Sequence, residues 1–219
     1  MALTKITDDP AQIRLYHITH IDNLASIISS RALLSLHQME QAGIQPRSIA
    51  YSHLQERRDA ITIPIAPGGD LHDYVPWSFA ARSPMLYTAW RGALGNDVRQ
   101  SDIVHLVSDV RKVRELQLPF IFTDGHPLSS ELTTFFDRID ALPSTLDWDV
   151  LCAHVWRNTE EDADRKRRRQ AEFLIHGAVP WSLVKGIAVQ SESMRDRAAS
   201  LLGMSTHQPK VALLPEWYY

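Results

Sequence analysis

Glu172 is the one acidic residue in an apolar stretch made of Ala171, Phe173, Leu174, Ile175 and Val179, and five consecutive cations, Arg165 to Arg169, run directly up to it. The pattern reads as a buried strand. A carboxylate there has two natural placements: on an edge strand facing solvent, paired with one of the neighbouring arginines, or as a catalytic acid beside a surface that holds a polyanion. Arg57 and Arg58 stand side by side in LQERR, where a forked guanidinium suits bidentate phosphate binding and an exposed helix face is the plainer reading. His17 and Thr19 close a strand candidate, either as ligand contacts or as polar groups bonded to backbone in the core. Asn23 either joins them or caps the helix that follows. Tyr74 and Tyr87 are candidates for stacking on a ring, or for packing in the core. Arg165, Arg167, Arg168 and Arg169 can neutralise phosphates, and Trp148, Trp156 and Trp181 offer faces to unpaired bases.

Other chemistries are excluded or disfavoured. Gly68-Gly69 stands without a lysine or a further spaced glycine, so neither a P-loop nor GxGxxG is present. There is no HExxH, and the ten histidines show no zinc-ligand spacing, so no metal is expected. The single cysteine, Cys152, rules out an internal disulfide and suits a reducing compartment, the cytoplasm by default. The N-terminus, MALTKITDD, has no apolar signal core, and no stretch approaches the roughly 20 apolar residues of a membrane span. With 219 residues, 44% of them hydrophobic, the chain can bury one sizeable core, and residues 1–219 are read as one domain. A net charge of -3 means that any nucleic-acid contact must come from a local patch such as Arg165 to Arg169.

The elements that must position these residues follow from periodicity. Strands are expected at Ile13 to His17, Ile61 to Ile65, Ile103 to Val110, Pro119 to Thr123, Phe173 to His176, Val184 to Val189 and Val211 to Leu214. Leu33, Leu34 and Leu36 read as extended chain, and Gln38 to Ser52 as a loop broken by Gly43 and Pro46. Helices are expected after Asp22, over His53 to Asp59, Leu132 to Ile139, Trp148 to Trp156 and Ser191 to Leu202. Leu71 to Tyr87 is an aromatic, proline-interrupted wall, and Asn158 to Arg169 reads as mobile or draped over the surface. Strands scattered among short helices, without regular alternation, predict a single mixed α+β domain.

Six stretches in order carry a resemblance: LYHITHIDNLASI; HLQERR with IPIAPGGDLHDYVP; RSPMLY; LPFIFTDGH; DRKRRRQAEFLIHGAVPW; and the terminal PEWYY. Together they span nearly the whole chain, which resembles the DarT-type toxins, ADP-ribosyltransferases that modify single-stranded DNA. The resemblance implies an α+β transferase fold, NAD as the donor of ADP-ribose, and a DNA base as acceptor. It further implies a toxin restrained by a neighbouring antitoxin with a macrodomain that removes the modification.

By its place in QAEFL, Glu172 corresponds to the family's catalytic glutamate, which opposes the positive charge that develops on the ribose and helps remove a proton from the attacking base. Arg57 or Arg58 corresponds to the essential arginine, counted with Glu172 in the catalytic set and among the NAD contacts. The other expected NAD contacts are His17, Thr19, Asn23 and Tyr74, and the expected DNA contacts are Arg165, Arg167, Arg168, Arg169 and Trp148. Where the family usually reads close to VPFYF and then proline, this chain has VPWSFAARSPMLY, so Trp77, Ser78 and Ala81 depart from the pattern and the target base stays open between thymine and guanine. The competing functions are an ADP-ribosyltransferase acting on protein or RNA, and a nucleic-acid-binding module without turnover.

Overall fold

The structure is a computed structural model that describes residues 9–50, 52–94, 97–203 and 205–219, so most of the N-terminal stretch read above for a signal lies outside the described residues. The chain opens with β1 (Arg14–His20), α1 (Asn23–Ser30), β2 (Ala32–Leu33), α2 (Leu36–Gln41) and α3 (Ser52–Asp59). The middle holds β3 (Tyr74–Ser78), α4 (Pro84–Trp90), β4 (Ile103–Asp109), α5 (Val110–Glu115), β5 (Phe120–Thr123) and β6 (Phe135–Phe136). Three short helices, α6 (Leu142–Thr145), α7 (Trp148–Cys152) and α8 (Arg165–Arg168), lead to β7 (Glu172–His176), β8 (Val179–Pro180), β9 (Gly186–Val189), α9 (Glu192–Leu202) and β10 (Lys210–Leu213). No described helix is long and apolar enough to cross a membrane.

Eight strands form one sheet in the order β10-β9-β4-β1-β3-β7-β5-β6, antiparallel at every junction except β10 with β9. This is the mixed α+β domain that the element pattern predicts. The strand bearing Glu172 is therefore interior. β7 lies between β3 and β5, with Glu172 opposite Ser78 and Phe173 opposite both Trp77 and Phe122. Its alternation buries Phe173 and Ile175 in the main core with Trp77, Phe79 and Val75, while Leu174 joins Tyr74, Ile121 and Leu71 in a smaller cluster. Helix starts are set by side chains: the Ser83 hydroxyl accepts from Leu86 N–H at 3.1 Å with Pro84 at the first helical position of α4, and Asp109 accepts from Lys112 N–H at 2.9 Å to start α5.

Three expectations are corrected. Ile61, Ile63 and Ile65 do not form a strand; a single bridge, Thr62 to Asp70, closes that loop, and the isoleucines owe their alternation to packing over the Leu71–Tyr74 cluster. Residues 132–138 are not helical: Phe135 and Phe136 pair with Thr123 and Phe122 as the edge strand β6, Leu132 is left exposed, and a 3-10 turn begins only at Ile139. Asn158 to Arg169 is not draped loosely but ends in α8, which ion pairs fasten to the body of the protein. Within the tract read as extended and then loop, Ser35 caps α2 by accepting from Gln38 N–H.

Candidate active site

Glu172 stands at the first position of β7, and its backbone N–H donates to the Thr123 hydroxyl at 3.0 Å, which in turn donates to the Gly125 carbonyl at 2.7 Å. Thr123 is fully buried, so the start of β7 has little freedom. The Glu172 carboxylate does not meet the adjacent cationic run. It is chelated by Arg58, 114 residues away, with Nη1 to Oε1 at 3.2 Å and Nη2 to Oε2 at 3.1 Å. Both side chains are mostly shielded, at 12% and 19% exposure. Such a fork fixes both carboxylate oxygens in plane. Arg57, the preceding residue of α3, is exposed, and it is Arg58 that the structure pairs with the acid.

The pair sits in the wall of a cleft of about 750 Å³, also lined by His17, Thr19, Asn23, Trp77, Ser78 and His126. His17 Nδ1 lies 2.8 Å from the Pro76 carbonyl, which can only accept, so the ring proton is on Nδ1 and Nε2 keeps its lone pair. Burial pushes the His17 pKa down, favouring this neutral form. Thr19 accepts from Asn23 Nδ2 at 3.0 Å, and Asn23 also bonds both the carbonyl and the N–H of Arg47. Asn23 thus staples the loop after α2 to the rim of the cleft rather than capping α1, where Asp22 holds the cap position.

Other candidates are placed elsewhere. Tyr74 is buried, donates its hydroxyl to the Gly68 carbonyl at 2.7 Å and packs edge-on against His176, away from the cleft lining; burial, then the nearby Asp73 and Asp70, push its pKa up to about 12. Trp148 packs against Phe79 and donates to the Pro143 carbonyl, and Trp181 is buried with its indole N–H on the Ser205 hydroxyl and the His207 carbonyl. Of the three tryptophans singled out for base stacking, Trp156 lines the cleft, edge-on to Tyr87.

The arginines expected to meet phosphates are engaged inside the fold. Arg165 donates to the Val155 carbonyl and faces Asp162. Arg167 chelates Asp164 and reaches Asp124 and Thr133. Arg168 is clamped between Asp147 and Asp162. Arg169 is 5% exposed and donates to the carbonyls of Val150, Leu151 and Arg82. The run therefore serves as a set of rivets, because acidic residues at 124, 147, 162 and 164 fold back onto it. The cations left exposed along the cleft are Lys166, Arg157 and Arg47.

His126 is the site residue that sequence reasoning passed over. It lines the cleft beside Glu172, and its Nδ1 accepts from Leu128 N–H at 3.0 Å, leaving the proton on Nε2 in the neutral ring. Burial lowers its pKa, the Glu172 carboxylate works against that shift, and the Arg58 and Arg57 guanidiniums reinforce it. Its signal was the TDGH sequence, whose Gly125 is required for space: a Cβ there would fall 2.1 Å from Arg167 Nη1.

Residues 16–219 match the family described as ssDNA thymidine ADP-ribosyltransferase, DarT. A DNA ADP-ribosyl transferase of Thermus sp. (strain 2.9) is 41% identical over 212 residues, covering 96% of this chain and 98% of the relative. The solved structure of Thermus sp. 2.9 DarT in complex with ADP-ribosylated ssDNA superposes with a TM-score of 0.88 at 38% identity, over 99% of this chain and 100% of that one. The same Thermus protein in complex with NAD+ superposes with a TM-score of 0.83 at 36% identity, over 96% of this chain and 98% of that one. A DNA ADP-ribosyl transferase-DNA ADP-ribosyl glycohydrolase fusion protein of Thermosipho africanus is 26% identical over 206 residues, 92% of this chain and 48% of the relative.

Proposed function

The chain belongs to the DarT family of single-stranded-DNA ADP-ribosyltransferases, and on that premise we propose that it transfers ADP-ribose from NAD to a base of single-stranded DNA with Glu172 and Arg58 at the reacting centre. The observation that carries the assignment of residues is the bidentate Arg58–Glu172 pair in the cleft wall. NAD supplies a ribose whose bond to nicotinamide breaks with positive charge developing on the sugar, and a carboxylate beside that sugar stabilises it. Glu172 provides that carboxylate and takes the proton from the attacking base. Arg58 holds both of its oxygens, so no reorganisation is needed when charge develops.

The cleft is of the size that small-molecule and cofactor sites occupy. Neutral His17, with Nε2 as acceptor, and Thr19 are placed to hold the nicotinamide end, and Asn23 acts by fixing the loop that covers it. His126 Nε2–H is a further donor in the same wall. Tyr74 we assign to the core. For the DNA we assign Lys166, Arg157 and Trp156, which line the cleft, in place of Arg165, Arg167, Arg168, Arg169 and Trp148. Thymidine, the base in the family description, is the first acceptor to test, with guanine the alternative; Trp77 and Ser78, where this chain departs from the family pattern, line the same cleft.

Family membership carries the toxin role, and the Thermosipho relative, named for a transferase joined to a DNA ADP-ribosyl glycohydrolase, supports a macrodomain antitoxin that removes the modification as the natural partner. We place the protein in the cytoplasm, consistent with its single cysteine, Cys152, which leaves no internal disulfide to form. The deciding experiment is incubation with labelled NAD and a panel of single-stranded oligonucleotides, with mass spectrometry locating the added group. Label found only on protein or RNA would replace DNA as the acceptor, and no label on any acceptor would leave a binding module.

A further inference from the structure

His37, Asp59, Asp70 and His72 come from three segments: α2, the last residue of α3, and the 3-10 turn Leu71–Asp73 with its N-cap Asp70. One donor atom from each lies within 4.8 Å of the other three. His37 Nε2 is 3.7 Å from Asp59 Oδ1, and His72 Nδ1 is 3.6 Å from the same oxygen. Ligands around a tetrahedral zinc-type ion stand about 3.4 Å apart, given metal–ligand bonds of about 2.0–2.2 Å. Those two pairs are thus a few tenths of an ångström from closing on an ion, and separations of up to 4.8 Å elsewhere in the cluster must contract by about 1.4 Å.

Two features point to a ligand rather than to a chance gathering of polar groups. His72 is 8% exposed, its ring stands edge-on to His37, and its Nδ1 faces Asp59 at 3.6 Å, too far for a hydrogen bond. A buried imidazole left without a bond is costly unless something else satisfies it. His37 Nδ1, meanwhile, bonds the Asp73 carboxylate at 3.1 Å, which places the proton on Nδ1 and leaves the Nε2 lone pair facing Asp59. A carboxylate behind a histidine in this way orients metal-binding histidines and raises their basicity. Asp59, 64% exposed, leaves an entry path open.

We propose that His37, Asp59, Asp70 and His72 bind one divalent transition-metal ion of the zinc class, with Asp73 orienting His37, and that this ion ties α3 to the turn before β3. Two imidazoles and two carboxylates form a mixed nitrogen–oxygen set that suits such an ion and supplies two negative charges against its two positive ones. This reverses the expectation from histidine spacing, because positions 37, 59, 70 and 72 have no recognisable ligand interval and meet only through the fold. The site has a structural consequence: Asp59 directly follows Arg58, so an ion there holds the helix end that presents the guanidinium to Glu172.

The test uses the full chain, stripped with a chelator and freed of any histidine tag, titrated with Co2+ and Zn2+ alone. The expected result is one Co2+ per chain with the visible absorption of tetrahedral nitrogen–oxygen coordination, displaced by Zn2+, and a Tm that rises with Zn2+. Asp59→Ala and His37→Ala should abolish the absorption and the Tm shift, and Asp73→Asn should weaken binding about 10–100-fold. Asp59→Ala removes an exposed side chain, so its metal-free Tm should match that of the parent and report on binding alone. Absence of the Co2+ spectrum at saturating ion, or equal affinity in the parent and both alanine variants, overturns the proposal. No readout here involves NAD or DNA, so failure of the transferase reading and failure of the metal site are separately visible.

Discussion

At the scale of single residues, the site rests on a bidentate contact that local sequence does not show. Glu172 reads as an anomaly in a strand, but the arginine that answers it is Arg58 rather than any member of the adjacent run. Glu172→Gln keeps the shape and a hydrogen-bonding partner for Arg58 while removing the charge. It should lower transfer by about 10²–10⁴-fold, the usual worth of a proton-transfer or charge-stabilising group, with NAD binding by calorimetry little changed. Arg58→Ala should lose a comparable factor because the carboxylate is then unheld, whereas exposed Arg57→Ala should stay near the parent rate; equal losses in the two would refute the assignment of Arg58. A second residue-scale effect concerns pH. His105 is fully buried in β4 with Nε2 on the Ala81 carbonyl, and burial pushes its pKa down to about 4. The unfolded chain, with a histidine near 6.5, takes up a proton that the folded chain refuses, so stability is complete above about pH 6.5 and falls as the pH drops toward 4. From this group alone the loss between pH 7.5 and 5 is about 2 kcal/mol, read from urea midpoints, and His105→Gln should flatten the curve by that amount.

At the scale of elements, α8 illustrates how a charge run misleads. Four arginines and a lysine in sequence suggest a surface for phosphates, but Arg168 and Arg169 hold α7, α8 and the start of α4 together through Asp147, Asp162 and the carbonyls of Val150, Leu151 and Arg82. Arg169→Ala would leave those carbonyls buried and unmet, and should cost about 3 kcal/mol or more in chemical denaturation. Lys166→Ala should leave the midpoint unchanged and instead reduce the log-salt slope of single-strand binding by about 0.7, as for one lost phosphate contact. The reverse pattern, stability lost at Lys166 and salt dependence at Arg169, would restore the run as the DNA surface. Sequence located β1, β4, β5, β7, β9, β10 and α9 to within a few residues, since each carries its own apolar period. It failed where a partner decides: Phe135–Phe136 is a strand because β5 offers it an edge, and Ile61 to Ile65 is a loop because a single bridge and a side-chain cluster satisfy it. For the site, the motif residues Glu172, His17, Thr19 and Asn23 were legible, while the choice of Arg58, the place of His126 and the fate of Arg167 to Arg169 depend on contacts between segments far apart in sequence.

At the scale of the whole molecule, the cleft runs between the sheet, the segment that follows α2 and α4 itself, with Glu172 in one wall and the exposed Lys166 and Arg157 and the half-buried Trp156 along its rim. A base must enter far enough for its reacting atom to approach the ribose carbon beside Glu172. In a duplex that atom is held by pairing and stacking, which cost a few kcal/mol to undo, and the described residues include no separate domain that would open a strand. Transfer should therefore require an unpaired base. Annealing a complementary oligonucleotide across the target, at equal concentration and constant salt, should lower the labelling rate by at least about tenfold, the least that a cost of 1.4 kcal/mol would produce. A blunt duplex labelled as fast as the single strand would refute this. A duplex with the target base in a short unpaired bulge should recover most of the single-strand rate, because the cleft has only to receive one base and its flanking phosphates.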